Sequence, residues 1–395
     1  MRLHRMHATR STLGGFALGL LLAGCATVPE RQPLPARVAG VVTTAGVAES
    51  RYWADQTPQS FARWKTLTEA QLRERYGGIM DRPHAYLLLS GGGGDGAFGA
   101  GLLAGWTAHG TRPEFQYVTG ISTGALIAPF AFLGSAYDDR LRTLYTTLST
   151  KDLVRQRNIF EIVTGNSAFD TTPLRRLLEQ QLGEVEIAAI GREGRRGRSL
   201  LIGTTHLDAS RPVIWDITRI AAAGTPAARK LIYDVILASV SIPGAFPPVL
   251  IDVEADGRRY DELHVDGGVS AQLFFGPDGL DWREVASALR VQGQPQIYII
   301  RNSRLTDGWT AVDPRLLPIM TRTIATLLRN QGIGDLARIY IAARRAGLGF
   351  NLARVPADFD REPAELFDPR YMRALYERGF DIARDGYPWV RESGD

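Results

Sequence analysis

Cysteine is nearly missing from these 395 residues: the one present, Cys25, cannot form a disulfide within the chain, and no cysteine cluster can hold a metal. Histidine is scarce as well. There are six, and only His84, His109, His206 and His264 lie beyond the first 25 residues, with no H-x-x-x-H pair or His-rich tract among them. No metal is therefore expected, and nothing in the sequence asks for another cofactor. Excess charge is lacking too: of 46 Lys+Arg, three (Arg2, Arg5, Arg10) sit at the extreme amino terminus, which leaves 43 against 42 Asp+Glu. A chain so nearly neutral is not a general nucleic-acid binder. Beyond the amino-terminal leader no apolar run reaches the length of a membrane span, and there is no internal repeat or low-complexity tract.

The leader itself is informative. Three arginines precede an apolar run at 16–22, the charged and then hydrophobic plan of a secretory signal, and the run ends in Leu22-Ala23-Gly24-Cys25. That ending resembles the bacterial lipobox, which implies that residues 1–24 are a lipoprotein signal peptide and that Cys25 is lipidated. Each buried CH₂ of such an anchor contributes about 0.8 kcal/mol. Ala26 stands where an aspartate would argue for inner-membrane retention, so the expected location is the outer membrane, facing the periplasm.

Three glycine-bearing stretches carry the chemistry. Ser122 sits in Gly120-Ile121-Ser122-Thr123-Gly124, a G-x-S-x-G pattern in which the glycines let a strand turn sharply into a helix and lift the serine hydroxyl into the open. Upstream, Gly91-Gly92-Gly93-Gly94-Asp95-Gly96 joins an apolar strand at 85–89 to a small-residue helix at 97–106. There Gly92, Gly93 and Gly94 can present bare N–H groups to an oxyanion, with the positive end of the helix dipole behind them. Downstream, Asp266-Gly267-Gly268 ends another strand and offers a carboxylate.

Together these residues resemble the patatin-like phospholipases, whose members show a glycine-rich oxyanion loop, a G-x-S-x-G serine and an Asp-Gly-Gly or Asp-Gly-Ala aspartate. Residues 238–249, Ala-Ser-Val-Ser-Ile-Pro-Gly-Ala-Phe-Pro-Pro-Val, and 204–208, Thr-Thr-His-Leu-Asp, fit the same family in chain order. The resemblance implies a Ser122–Asp266 dyad without histidine, acyl transfer on lipid esters, and membrane lipids as both substrate and anchor. It names no protein partner. Asp95 departs from the pattern, since members usually carry Arg or Lys there: a carboxylate either caps the following helix or disfavours anionic headgroups.

Two rivals stand beside this reading. A Ser-His-Asp triad would need His264, with Asp208 or Asp216 as its acid; the other reading is that His264, two residues before Asp266 on one strand, only flanks the site. A catalytically silent lipid-binding lipoprotein is suggested by Asp95 alone. Phe98, Phe246, Phe274 and Phe275 are candidates for an acyl-chain pocket, and the basic run at 191–198 reads as a solvated loop.

Strands near 85–90, 115–119, 199–207, 249–253, 262–266 and 296–301, with helices between most of them, predict an α/β fold: a three-layer α/β/α sandwich around a largely parallel sheet. The expected division is a tether and helical lead-in at 25–82, the catalytic domain at 83–303, and a carboxy-terminal extension at 304–395 with helices at 316–329, 333–346 and 369–385.

Overall fold

A computed structural model describes residues 31–277, 279–305 and 311–392, so the leader and Cys25 lie outside the described residues. After β1 (Arg51–Trp53) come two short helices, α1 (Gln59–Trp64) and α2 (Glu69–Tyr76), and then β2 (Ala85–Leu89), α3 (Gly96–His109) and β3 (Tyr117–Gly120). α4 (Thr123–Leu133), α5 (Asp138–Thr147) and α6 (Thr150–Leu153) follow, and a small hairpin of β4 (Arg155–Gln156) and β5 (Phe169–Asp170) carries α7 (Ile159–Thr164) between its arms. α8 (Thr172–Gln181) and α9 (Glu184–Arg195) lead to β6 (Ser199–His206), β7 (Arg211–Asp216), α10 (Ile217–Ala222) and α11 (Pro226–Ser239). The remainder is β8 (Val249–Ala255), β9 (Arg258–Asp266), α12 (Trp282–Ala288), β10 (Gln296–Arg301), α13 (Leu316–Ala346), β11 (Gly349–Arg354) and α14 (Pro369–Arg384).

Nine strands form one sheet among the described residues. β11, β10, β2, β3 and β6 run parallel in that order, while β7 and β1 continue it antiparallel beyond β6. β2 reads Ala-Tyr-Leu-Leu-Leu and is buried at every position, because a central parallel strand is covered on both faces. Leu87 and Leu89 join one core with Leu102 of α3, Ile127 of α4, Ile232 of α11 and Leu375 of α14. Tyr86 and Leu88 point the other way, to Phe275, Trp282 and α13 residues Leu336 and Ile339. Each such side chain, fully buried, contributes roughly 1.5–3 kcal/mol. Three layers therefore form, as the strand and helix alternation predicts.

One detail of register brings distant segments together. β3 stops at Gly120, opposite Ile202, but β6 runs on to His206. β9 pairs antiparallel with that overhang, Thr204 opposite Asp266 and His206 opposite His264. The end of β9 is thus delivered beside the end of β3.

The segments on both sides of the expected catalytic domain pack onto it. Residues 31–82 are no free tether: Leu34 N–H donates to Asp261 O at 3.2 Å, Thr43 and Glu254 exchange backbone hydrogen bonds at 2.9 Å, and β1 pairs with β7. These contacts cover strand edges that would otherwise be open. The segment from 304 on likewise supplies β11, paired with β10 along its whole length, and α14, packed on α3. That helix contact is backbone to backbone, since a Cβ at Gly101 or Gly105 would come within 2.0 and 2.1 Å of the Tyr376 and Phe380 carbonyl oxygens. The helices expected at 316–329 and 333–346 are one, α13, and Gly332 inside it lies against Gln272 and Arg301. The basic run at 191–198 is the end of α9 as far as Arg195 and then a short turn, and Arg198 is buried, donating to the Phe115 and Phe132 carbonyls at 2.9 and 2.6 Å.

Candidate active site

Ser122 occupies the turn between β3 and α4 with φ 53° and ψ −125°, a conformation that a non-glycine residue holds only when its surroundings enforce it. The surroundings are two close approaches: a Cβ at Gly124 would lie 2.3 Å from Leu89 O, and one at Gly120 would lie 2.5 Å from Gly124 O. The Ser122 N–H donates to Ser239 Oγ at 3.0 Å, and the Ser239 hydroxyl donates to Gly203 O at 2.7 Å. Ser239 is a residue that sequence reasoning quoted in a matching block without giving it a role.

The Ser122 hydroxyl donates to Asp266 Oδ2 at 2.7 Å, and the Gly268 N–H donates to Asp266 Oδ1 at 2.7 Å. The Asp266 backbone is tied at both ends, its N–H to Ser241 O at 2.9 Å and its carbonyl to the Thr205 hydroxyl at 3.0 Å. Gly267 passes close to Gly203, where a Cβ would meet the carbonyl at 2.5 Å. Both reacting side chains are buried, with Ser122 7% and Asp266 5% exposed. Burial pushes the Asp266 carboxyl up to about 7, against the opposing hydrogen bonds from Ser122 and Gly268. A carboxylate poised there is suited to take and return a proton near neutral pH.

The glycine loop comes next to this pair. A Cβ at Gly91 would sit 3.2 Å from Ser122 Cβ, and Gly93 lines the same cavity as Ser122. The N–H groups of Gly92, Gly93 and Gly94 have no protein acceptor among the described residues, which leaves them available to an incoming oxygen. Gly96 starts α3 against the Thr123 hydroxyl. Asn302, which sequence reasoning passed over, holds the loop. Its N–H donates to Ser90 Oγ and its Nδ2 to Ser90 O, both at 2.9 Å, while its Oδ1 accepts the Gly99 N–H at 3.1 Å. Nothing beyond its place after a strand marks Asn302 in the sequence.

Asp95 does not cap α3 with its side chain. A 3-10 turn over Gly93–Asp95 runs straight into α3, so Asp95 is already helical and its side chain makes no capping bond. Its Oδ1 instead accepts the Tyr371 hydroxyl of α14 at 2.7 Å, and burial pushes the carboxyl up to about 6. It is thereby tied to α14.

From Ser122 a cavity of about 120 Å³ leads away between the helices, lined by Leu126, Phe130, Leu153, Leu174, Ile242 and Phe246 among others. Of the four phenylalanines proposed for an acyl pocket, Phe246 alone is there. Phe98 is fully buried in the core under α14, Phe274 packs with Ile121, Leu201 and Ile214, and Phe275 stacks on Trp282 at 4.0 Å.

The histidines are occupied elsewhere. His264 contacts Thr204 Oγ1 through Nδ1 and Glu262 Oε2 through Nε2, each at 3.0 Å, so neither nitrogen is left for Ser122. Burial pushes His264 down to about 4, which leaves it neutral. Asp208 pairs with Arg31, and Asp216 caps α10, so neither acid supports a triad. His206, Glu262 and His264 do bring donor atoms within 4.8 Å of one another. A cation is already in place there: the buried Arg51 guanidinium pairs with Glu262 Oε1 at 2.5 Å. Burial would raise the Glu262 carboxyl, but bonds to both histidines and the Arg51 charge hold it well below the usual range. The cluster is an ion network around Glu262, in which the buried Arg51 Nε is left without a hydrogen-bond partner.

Ser122 and Asp266 both lie within a stretch that matches a known family. The family model described as patatin-like phospholipase matches residues 87–277. No curated protein matches the chain. Among solved structures, the crystal structure of VipD from Legionella pneumophila is similar at 12% identity and a TM-score of 0.31, covering 77% of this chain and 67% of that one. Over residues 87–277, the chain carries a domain of the patatin-like phospholipase family, a family of lipid hydrolases.

Proposed function

We propose that this protein hydrolyses carboxylic esters of lipids with a Ser122–Asp266 dyad. The observation that carries the reading is the direct 2.7 Å hydrogen bond from a strained elbow serine to a buried carboxylate, with no imidazole between them. Ser122 Oγ attacks the ester carbonyl as its proton passes to Asp266 Oδ2, and the N–H groups of Gly92–Gly94 receive the oxyanion. Collapse of the tetrahedral intermediate returns the proton from Asp266 to the departing alcohol and leaves an acyl-enzyme. Water, deprotonated by Asp266, then releases the fatty acid. The apolar cavity suits an acyl chain. A fluorophosphonate probe should label the wild type at Ser122 and fail on Ser122→Ala. A chain that neither takes the label nor cleaves a short-chain chromogenic ester is the silent lipid binder instead.

The pH dependence follows from the base. Asp266 works ionised, and its carboxyl is raised to about 7 by burial, so kcat/KM for a soluble ester should rise with pH through a midpoint near 7 and fall away on the acid side. A flat profile from pH 5 to 9 would remove Asp266 from the role of base.

We further propose that the protein is a lipid-anchored lipoprotein of the bacterial outer membrane, facing the periplasm. Its support is the charged and apolar leader ending at Cys25. Cys25→Ser should leave an unprocessed or mislocalised precursor that takes up no fatty-acid label, and persisting label would end the proposal.

A further inference from the structure

Surface helices of water-soluble domains turn their apolar stripe inward. The amino-terminal half of α13 does the reverse. Leu316, Ile319, Met320, Ile324 and Leu327 recur at spacings of three and four and are all exposed, Leu316 at 76% and Leu327 at 64%. The opposite side, Pro318, Arg322, Thr326 and Arg329, is half-buried toward the body. Farther along, the same helix behaves normally: Leu336, Ile339 and Ala343 pack on the sheet. The continuous exposed stripe lies within residues 316–329, with Ile333 and Ile341 exposed singly farther along.

Position and charge say what would cover this face. Where the helix passes from its packed half to its exposed half, Gly332 lies against Gln272, whose side chain stands beside both Gly91 and Gly268 of the site. The exposed half is thus continuous with the surroundings of Ser122. From Arg315 to Gly334 there is no Asp or Glu, so nothing in the segment repels an anionic headgroup. A second exposed apolar turn, Ile159, Phe160 and Val163 of α7, lies on a hairpin flanked in sequence by the cavity residues Leu153 and Leu174. No helix among the described residues is long and apolar enough to cross a membrane. A second copy of the chain suits the face less well, because a single stripe about four turns long covers well under the roughly 800 Å² per partner of a stable protein interface.

We propose that residues 316–329 of α13 dock on a phospholipid surface containing anionic lipid, lying in the headgroup layer with the apolar stripe inward and presenting the neighbouring site to its substrate. The proposal rests on the lipid-hydrolase reading for its orientation but not for its binding, and the test separates the two. In a chain begun at Ala26, which takes both the apolar leader and its lipidation out of the measurement, the double variant Met320→Asp/Ile324→Asp is compared with its parent. The readouts are flotation with vesicles of phosphatidylcholine and phosphatidylglycerol, turnover of a vesicle-borne ester, and turnover of a soluble short-chain ester. Flotation and vesicle turnover should fall about tenfold or more, as expected for removing two apolar side chains from a lipid interface, while soluble turnover stays unchanged. Met320→Gln/Ile324→Gln repeats the comparison without charge if the aspartates disturb folding. Unchanged flotation would overturn the proposal, as would a parent that runs as a dimer and is split into monomers by the variant. Flotation lost in the variant, with both proteins inactive on the soluble ester, would uphold docking and refute the catalytic reading.

Discussion

Ser122→Ala and Asp266→Asn should each lower kcat/KM for a soluble ester by a factor on the order of 10⁴ or more, because the two groups act as one unit and the loss of either removes the proton-coupled attack. The fold should survive both changes. Asp266→Asn is expected to raise Tm at pH 8, and the sign follows from burial. The folded carboxyl is raised to about 7, above its unfolded value, so its cost in stability accrues as pH rises past the unfolded value and is fully present above about 7. An amide removes that cost, which is on the order of a few kcal/mol, and keeps an acceptor for the Gly268 N–H. His206→Ala and His264→Gln should retain turnover within about tenfold in the folded protein, since a group outside the catalytic unit does not share its collapse. A histidine variant as inactive as Ser122→Ala would restore the triad. Full activity in folded Asp266→Asn would overturn the dyad.

The second large effect is expected at Gly92. Its φ of 155° places the position of a Cβ 1.8 Å from Asn302 O, a backbone atom at the end of β10 that no rotamer can move. Gly92→Ala should therefore displace the oxyanion loop, lowering kcat at least about 100-fold, as the loss of one donor does elsewhere, and costing about 3 kcal/mol or more in stability. Gly93→Ala is the contrast. Its φ of 56° is also left-handed, but nothing lies within 4 Å of a Cβ there, so the cost should stay near 1–2 kcal/mol. Equal Tm losses in the two variants would show that backbone conformation, and not the approach to Asn302, sets the requirement at Gly92.

The parts of the site that can be read from residue order are those whose chemistry is local. A G-x-S-x-G between a strand and a helix is a statement about one tight turn, and the backbone of Ser122 realises it. The oxyanion loop is legible for the same reason, being a run of glycines between β2 and α3. Where reasoning by type failed, the deciding contact was remote in sequence. Asp95 looked like a cap because Asp often caps, but its partner is Tyr371. Three of four phenylalanines went to the core, since a buried ring satisfies packing wherever packing has room for it. Asn302 and Ser239 carried no local signal, as their hydrogen bonds reach back to Ser90 and Ser122.

What the sequence by itself determined was the alternation of strands and helices, the strand-to-helix turns that carry Ser122 and the glycine loop, and the scarcity of cysteine and histidine. Local sterics and hydrophobic periodicity decide those within a few residues. Tertiary structure alone decided that they meet. β6 outruns β3, and β9 pairs with the overhang, so Asp266 arrives beside Ser122 across 144 residues of chain. It also decided that the flanks supply β1 and β11, because an open sheet edge takes whichever segment can hydrogen-bond to it. And it turned the apolar face of residues 316–329 outward, a matter of which side of a helix the neighbouring sheet leaves uncovered, which periodicity cannot tell.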